Sequence, residues 1–290
     1  MKPKKISGKG EVWKFIIFAV LFGSAFLLYP IFYSIYISFH SMQGLNSVFN
    51  GLHNYIRMAQ DTVFWKALLN NFTYLIFQVP IMLILGLLLA FMLNSPTLKG
   101  KTFFRLALFL PCVTSLVSYS VLFKMMFQVG GIVNNFLLTV GIIQMPINWL
   151  NSPFWAKVTV IIALCWRWTG YNMIFYLAGL QNISADTLEA ASIDGANAAQ
   201  KFFRIIIPQL KPVIVFTTIT STIGTIQLFD EVVNLTGGGP SNETLTAAQL
   251  IYNHSFVYTS NFGYSATLSW ALVVIVAILS IIQLKVTNRP

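Results

Sequence analysis

Long apolar runs separated by short polar segments make up most of the chain. Six of these runs approach or exceed the ~20 residues that an α-helix needs to cross the hydrocarbon core of a bilayer. The pattern therefore predicts an all-α integral membrane protein with six transmembrane helices. The predicted helices are Phe15–Phe39, Asn70–Leu93, Leu106–Phe127, Ala156–Leu180, Val213–Val233 and Gly263–Leu284.

The composition supports this prediction, and the basic residues orient it. Hydrophobic residues make up 56% of the 290 residues and charged residues only 9%, whereas a soluble domain carries roughly 25% charged residues. The net charge of +10 sits between the apolar runs, which argues against a nucleic-acid partner. With the N-terminus inside, thirteen of the 18 Lys and Arg residues fall in inner segments. Because inner loops are rich in Lys and Arg, we expect both termini in the cytoplasm.

These boundaries predict three parts of the chain. Residues 1–14 form a cytoplasmic tail, residues 15–284 the transmembrane domain, and residues 285–290 a second cytoplasmic tail. The first apolar run exceeds the roughly 7–15 residues of a signal-peptide core. We therefore expect it to be retained as the first membrane span.

The longest polar interruption in the second half of the chain predicts two short helices. Ser184 is a plausible N-cap of the first helix, and Gly195 can adopt the left-handed conformation that ends it. The second helix is predicted over Asn197–Ile206, with Pro208 limiting it because proline does not continue a helix.

The residues of this interruption resemble the cytoplasmic signature of membrane subunits of ATP-binding-cassette (ABC) importers. That signature is Glu-Ala-Ala, three residues, Gly, nine residues, Ile, one residue and Leu-Pro. The chain matches it at Glu189, Ala190, Ala191, Gly195, Ile205 and Pro208, with Ile207 in place of Leu. The resemblance implies a type I ABC importer permease fold, with a core from about residue 70 and a coupling loop over 182–211. It assigns coupling to the ATPase to Glu189, Ala190, Ala191, Asp194, Gly195 and Pro208.

Further segments look like the sugar branch of this family, which includes the maltose, lactose, raffinose and multiple-sugar permeases. These segments are Trp166, Gly170, Leu177–Leu180, Phe229–Glu231, Thr236–Pro240 and Phe262–Ala266. The resemblance implies a permease subunit of an ATP-driven, binding-protein-dependent importer of an oligosaccharide, in a bacterial inner or plasma membrane. A permease for an amino acid, phosphate or peptide stays open as an alternative. An ion-coupled secondary transporter is less favoured because the acidic residues lie at span edges or in loops.

The family resemblance also implies the partners and the absence of an enzyme activity in this chain. The segment Lys99–Thr102 is not a phosphate-binding loop, because position 95 is Ser where such a loop needs Gly. We expect no cofactor on this chain, with ATP and Mg²⁺ bound by separate ATPase subunits. The implied partners are a second homologous permease, two ABC ATPases, an external sugar-binding protein and membrane lipid. His40, His53 and His254 are predicted to be surface residues, and no metal site is predicted.

The substrate site is predicted around a charge within a membrane span. Arg167 lies roughly 15 Å inward from Ala156 at 1.5 Å per helical residue, where a charge marks a pathway or a paired site. Aromatic faces and hydrogen-bonding groups beside it suit a sugar, and in the family the position of Tyr171 lines the substrate cavity. The predicted substrate-binding residues are Tyr171, Thr225, Gln227, Asp230, Trp168 and Asn172.

An alternative reading of the same residues is structural. Polar side chains within spans commonly form hydrogen bonds between helices. Arg167 could likewise form a structural ion pair with Asp230 or Glu231. The sequence leaves both alternatives open.

Overall fold

The computed structural model describes residues 9–43, 46–95 and 97–287, which are mainly helical. Parts of both predicted tails therefore lie outside the described residues. An antiparallel hairpin joins β1 (His40–Gln43) to β2 (Asn46–Phe49). The α-helices are α1 (Lys9–Gly23), α2 (Tyr29–Ser38), α3 (His53–Gln60), α4 (Thr62–Asn94), α5 (Lys101–Val113), α6 (Leu116–Phe127), α7 (Ile132–Thr139), α8 (Pro153–Gln181), α9 (Ala185–Ile193), α10 (Ala198–Lys201), α11 (Ile207–Ile226), α12 (Asp230–Leu235), α13 (Ala247–Tyr252) and α14 (Phe262–Thr287).

Six stretches of the described chain are long and apolar enough to cross a membrane, as the sequence predicts. Their presence confirms the all-α membrane architecture, while the second span begins earlier than predicted and the limits of the third and fifth spans need correction. The six stretches are Ile16–Ser38, Thr62–Asn94, Leu116–Thr139, Pro153–Gln181, Ala198–Ile226 and Phe262–Val286.

The predicted third helix, Leu106–Phe127, is interrupted. Thr114 and Ser115 have extended backbone conformations, with ψ of 149° and 133°, and separate α5 from α6. Pro111 lies near the end of α5 and lacks the N–H that would bond the carbonyl four residues earlier, which weakens the last turn of the helix. The membrane-length stretch consequently begins at Leu116 and includes α7.

The prediction that Pro208 limits the second polar helix is wrong. A π-helical turn over Phe202–Ile206 joins α10 to α11, and the helix continues through Pro208. The amide of Ile207 donates to the carbonyl of Phe202, five residues earlier. We attribute the continuity to this wider turn, because it makes room for the proline ring, which would clash with a carbonyl in a regular α-helix. The helix that follows the polar loop therefore runs without a break into the fifth span.

The predicted fifth span, Val213–Val233, ends earlier than expected because α11 stops at Ile226. Asn71, on α4, donates from its amide to the carbonyl oxygens of Thr225 and Ile226 at 2.9 and 3.2 Å. Its own carbonyl oxygen accepts from the amide of Ala247 at 2.9 Å. A single buried side chain thus satisfies backbone groups at two neighbouring chain segments.

Polar side chains also hold the connection between α12 and α13. Asn70 donates to the carbonyl of Leu245 at 2.9 Å. Lys66 and Lys157 form ion pairs with Glu243 at 2.8 and 2.6 Å. Hydrogen bonds from Lys157, which has the larger effect, and from Lys66 hold the pKa of the Glu243 carboxyl below its usual range. This connection is therefore fixed to both α4 and α8.

The chain divides into two compact units, the first formed by Met1–Asp61 and Ile251–Ala271. In its described part, the Tyr264 hydroxyl donates to Asp61 at 2.5 Å, and the Arg57 guanidinium lies 4.0 Å from the Tyr264 ring centre. The prediction that His40 is a surface residue is wrong, because His40 is buried and its Nδ1 lies 2.8 Å from the carbonyl oxygen of Tyr36.

The second unit consists of Thr62–Leu250 and Leu272–Pro290, and its centre is the packing of α8 against α4 and α5. Gly170 makes the approach of α5 to α8 possible. A Cβ atom added at Gly170 would lie 1.8 Å from the carbonyl oxygen of Leu108. Glycine at this position therefore sets the distance between the two helices.

We expect Gly170→Ala to destabilise the protein by about 1–3 kcal/mol, the usual range for an overpacked site. The extra methyl group must push α5 away from α8, since it meets backbone rather than a flexible side chain. Thermal unfolding of the detergent-solubilised protein would measure the change. Gly130→Ala is the matched control, because a Cβ there meets nothing within 4 Å. Equal unfolding temperatures for the two variants would contradict this interpretation.

Candidate functional site

The second unit contains a cavity with a volume of about 530 Å³. Side chains of α4, α8 and α11 line it, together with the segment that leads into α12. All six predicted substrate-binding residues are among its lining residues. They are Trp168, Tyr171 and Asn172 on α8, Thr225 on α11, and Gln227 and Asp230 beyond the end of α11.

One wall of the cavity is aromatic. The rings of Trp168 and Tyr171 meet edge to face with centres 5.7 Å apart, and Phe175 packs on Tyr171 at 5.0 Å. Tyr171 remains 38% exposed. This wall offers apolar ring faces together with the polar N–H of Trp168 and O–H of Tyr171. Ring compounds with both apolar and polar surfaces can stack against such side chains.

Another part of the cavity wall contains buried hydrogen bonds between helices. The Thr225 hydroxyl donates to Gln78 Oε1 at 3.0 Å, which joins α11 to α4. The Asn172 amide donates to the Met82 sulfur of α4 at 3.5 Å and, within its own helix, to the carbonyl of Trp168 at 3.0 Å. Thr225 and Asn172 therefore line the cavity while also serving the structural role that the sequence left open.

Sequence reasoning missed Gln78, which also lines the cavity. Gln78 is only 2% exposed and bonds Thr225 with its oxygen and the Met82 sulfur with its nitrogen, the latter at 3.1 Å. A signal was present in the sequence. Gln78 is a hydrogen-bonding side chain well inside the apolar run Asn70–Leu93, and such residues in spans usually face another helix or a cavity.

Arg167 is buried beside the cavity and forms hydrogen bonds to the backbone at the interruption between α5 and α6. Its guanidinium donates to the carbonyls of Thr114 at 3.1 Å, Cys112 at 3.3 Å and Pro111 at 3.4 Å. These carbonyls lie where the helix breaks and have lost their helical partners. Arg167 thus supplies the hydrogen bonds that a broken helix needs in a membrane, and the structural reading of this residue is favoured.

The same guanidinium faces Glu231, which lines the cavity. Arg167 Nε lies 3.9 Å from Glu231 Oε1, and the Trp168 indole N–H donates to that oxygen at 3.2 Å. Glu231 is only 6% exposed. The buried guanidinium of Arg167 balances its negative charge. Of the two acidic partners proposed for Arg167, the structure selects Glu231 rather than Asp230.

The polar loop forms the two helical segments that its sequence indicates. Gly195 has φ of +80°. Its amide donates to the carbonyl of Ser192, and the amide of Ala196 donates to that of Ala191. This pair of bonds is a Schellman motif, which explains the glycine. Ser184 occupies the N-cap position but makes no side-chain cap hydrogen bond.

One face of α9 is exposed in this chain. Glu189, Ala190 and Asp194 are exposed, whereas Ala191 is buried. Ile193 is 88% exposed, a large apolar side chain with little contact to its own subunit. Pro208 is exposed further along, at the start of α11. The small, charged and apolar side chains of α9 are thus available for contact with another molecule.

Comparison with known proteins agrees with this geometry. The family profile described as binding-protein-dependent transport system inner membrane component matches residues 56–289. A lactose transport system permease protein of Rhizobium radiobacter is 54% identical over 273 residues, 93% of this chain and 92% of the relative. A multiple sugar-binding transport system permease protein of Streptococcus mutans is 33% identical over 293 residues, 100% of this chain and 99% of the relative.

Solved structures share the fold. A chain of a bacterial ABC transporter involved in the import of the acidic polysaccharide alginate superposes with a TM-score of 0.83 at 21% identity, over 99% of this chain and 98% of that chain. A chain of the alginate transporter in complex with an alginate pentasaccharide-bound periplasmic protein gives the same score and identity, over 99% and 96%. The predicted importer permease fold is confirmed.

We expect Arg167→Gln to destabilise the protein by about 3 kcal/mol or more, because it leaves Glu231 buried without its cation. Replacing Glu231 by Gln in the same chain should recover part of that loss, so the two changes will not be additive. Thermal unfolding of the single and double variants would test this. Lys157→Gln, which breaks a more exposed ion pair on the same helix, should change stability by about 1 kcal/mol or less. Additive losses would contradict the pairing.

Proposed function

Because this chain belongs to the family of binding-protein-dependent transport system inner membrane components, we propose that its cavity is the place where an oligosaccharide crosses the membrane. The chain is a multi-pass permease subunit of a bacterial plasma-membrane importer for carbohydrate. The observation that carries the proposal is the convergence of the six predicted substrate-binding residues on one cavity of about 530 Å³.

The cavity has the chemistry that a sugar ring requires. Trp168 and Tyr171 offer faces for the apolar C–H surface of a pyranose, while the exposed side chains of Gln227 and Asp230 can bond hydroxyl groups. Thr225 and Asn172 hold the wall in place through their own hydrogen bonds. An amino-acid, phosphate or peptide substrate and an ion-coupled mechanism are not favoured, since the relatives above 30% identity described here are sugar transport proteins.

The α9 helix is the proposed contact with the ATPase. Its exposed Glu189, Ala190, Asp194 and Ile193 would seat in a groove of that subunit on the cytoplasmic side. Gly195 would fix the exit angle of α9 through its left-handed conformation, and Pro208 would mark the start of α11. A displacement of α9 would then reach the cavity through α10 and α11, which join without a break.

We infer the remaining partners from the family to which the chain belongs. A second homologous permease subunit would complete the pathway as a heterodimer, and two ABC ATPase subunits would bind ATP and Mg²⁺, so this chain needs no cofactor of its own. An external sugar-binding protein would deliver substrate to the outer loops, with the Gly237–Pro240 turn as one contact. Closure of the ATPases would rock the helices from an inward-facing to an outward-facing state.

We expect Gly195→Val to abolish sugar-stimulated ATPase activity while the complex still assembles. A β-branched residue at φ of +80° is strained by roughly 1–2 kcal/mol, which would change the direction in which α9 leaves the loop. The measurement is ATPase activity of the purified complex with sugar-loaded binding protein. Gly141→Val is the matched control, because Gly141 has φ of +77° and an added Cβ also meets nothing within 4 Å. Normal stimulation in Gly195→Val would refute the role of α9.

We expect Tyr171→Ala to reduce sugar uptake by about tenfold or more, because it removes the exposed aromatic face of the cavity, a contact worth about 1–3 kcal/mol. Uptake of radiolabelled sugar into cells or proteoliposomes would measure the effect. Phe154→Ala is the control, since it removes an exposed aromatic ring at the other end of the same helix. Equal uptake by the two variants would place the substrate elsewhere.

A further inference from the structure

The two acidic residues of the cavity differ in their electrostatic surroundings. Glu231 is buried and faces the Arg167 guanidinium at 3.9 Å. Asp230, the neighbouring residue and the first of α12, is exposed and forms no ion pair with any described residue. The charge of Glu231 is therefore balanced within the protein, whereas the charge of Asp230 is directed at the cavity without a counter-charge.

The rest of the cavity wall does not supply a cation. All its lining residues lie within the described chain, and none of them is Lys, Arg or His. Arg167 is not among the lining residues; its two terminal nitrogens donate to the carbonyls of the broken helix, and its Nε faces Glu231. The wall contributed by this subunit thus carries a net charge of about −1 from Asp230.

We propose that this cavity selects its substrate by charge: it admits uncharged oligosaccharides and disfavours those that carry a uronate carboxylate, with Asp230 as the residue that discriminates. This inference rests on the proposed function, in which the cavity is the sugar site. It names the chemical class of the sugar, which the cavity's shape and its aromatic wall leave unspecified. Hydroxyl groups can donate to Asp230, whereas a second carboxylate can only be repelled by it.

The expected size of the effect follows from Coulomb's law. Two carboxylates about 7 Å apart in a partly hydrated site repel each other enough to weaken binding by about tenfold or more. Tyr171 and Trp168 stack equally well against either sugar, because oxidation of a hydroxymethyl group leaves the apolar ring face intact. Charge, rather than the fit of the ring, is therefore the property that Asp230 adds.

Saturation-transfer NMR on the complete transporter complex in nanodiscs, without binding protein, tests the inference. The probes are lactose and the same disaccharide with one hydroxymethyl group oxidised to a carboxylate. We expect the wild-type complex to bind lactose at least about tenfold more tightly than the oxidised sugar. In Asp230→Asn the ratio of the two Kd values should fall by about tenfold, and this ratio, rather than the affinity for lactose alone, is the readout.

Asp186→Asn is the matched control, because it removes an exposed carboxylate from α9, away from the cavity. We expect its Kd ratio to equal that of the wild type. A second test needs no variant: raising the salt concentration from about 0.05 to 0.5 M should strengthen binding of the oxidised sugar selectively, because salt screens exposed charges. This keeps the inference testable even where Asp230→Asn fails to assemble.

The outcomes separate the two proposals. If the wild-type complex binds both sugars with equal affinity, or salt leaves the ratio unchanged, charge selection is overturned while the sugar site stands. An unchanged Kd ratio in well-assembled Asp230→Asn removes Asp230 from that role. If neither sugar binds the wild-type complex, the assignment of the cavity as the sugar site fails, and the inference fails with it.

Discussion

Backbone groups released by a broken helix must find hydrogen-bond partners inside the protein, because the bilayer offers none. Arg167 satisfies the carbonyls of Pro111, Cys112 and Thr114 where α5 ends. Asn71 does the same at the end of α11. Polar side chains of neighbouring helices thus bind the backbone at both interruptions. Removing either side chain would leave buried backbone carbonyls without that hydrogen-bond partner, which is costly.

These interruptions explain where the cavity lies. The chain leaves its helical path at Gln227 and resumes it at Asp230, so side chains of this short segment face α8 instead of packing along a continuous helix. Arg167 connects the start of α12 to the α5 break, because its Nε faces Glu231 and its terminal nitrogens donate to the carbonyls at the end of α5. The cavity wall and the broken helix are therefore parts of one buried polar network.

Features with a local cause could be predicted from the sequence. The six spans follow from the length of the apolar runs, and the end of α9 follows from Gly195, whose φ of +80° needs no distant partner. The α5–α6 break was missed because its stabilising partner, Arg167, lies more than fifty residues away in the sequence. The role of Gln78 was missed for the same reason, since it becomes visible only when α4 meets Thr225. The geometry of the Arg167–Glu231 pair likewise required the fold.

The continuous helix from Ala198 to Ile226 has a geometric consequence. It comprises 29 residues, which at 1.5 Å per residue is a rod about 43 Å long. One end adjoins the polar loop and the other carries Thr225 into the cavity wall. A tilt of this rod by about 10° around one end would move the other by roughly 7 Å, comparable to the width of a sugar ring with its hydroxyls. A small rotation near the polar loop would thus become a displacement as large as a sugar ring.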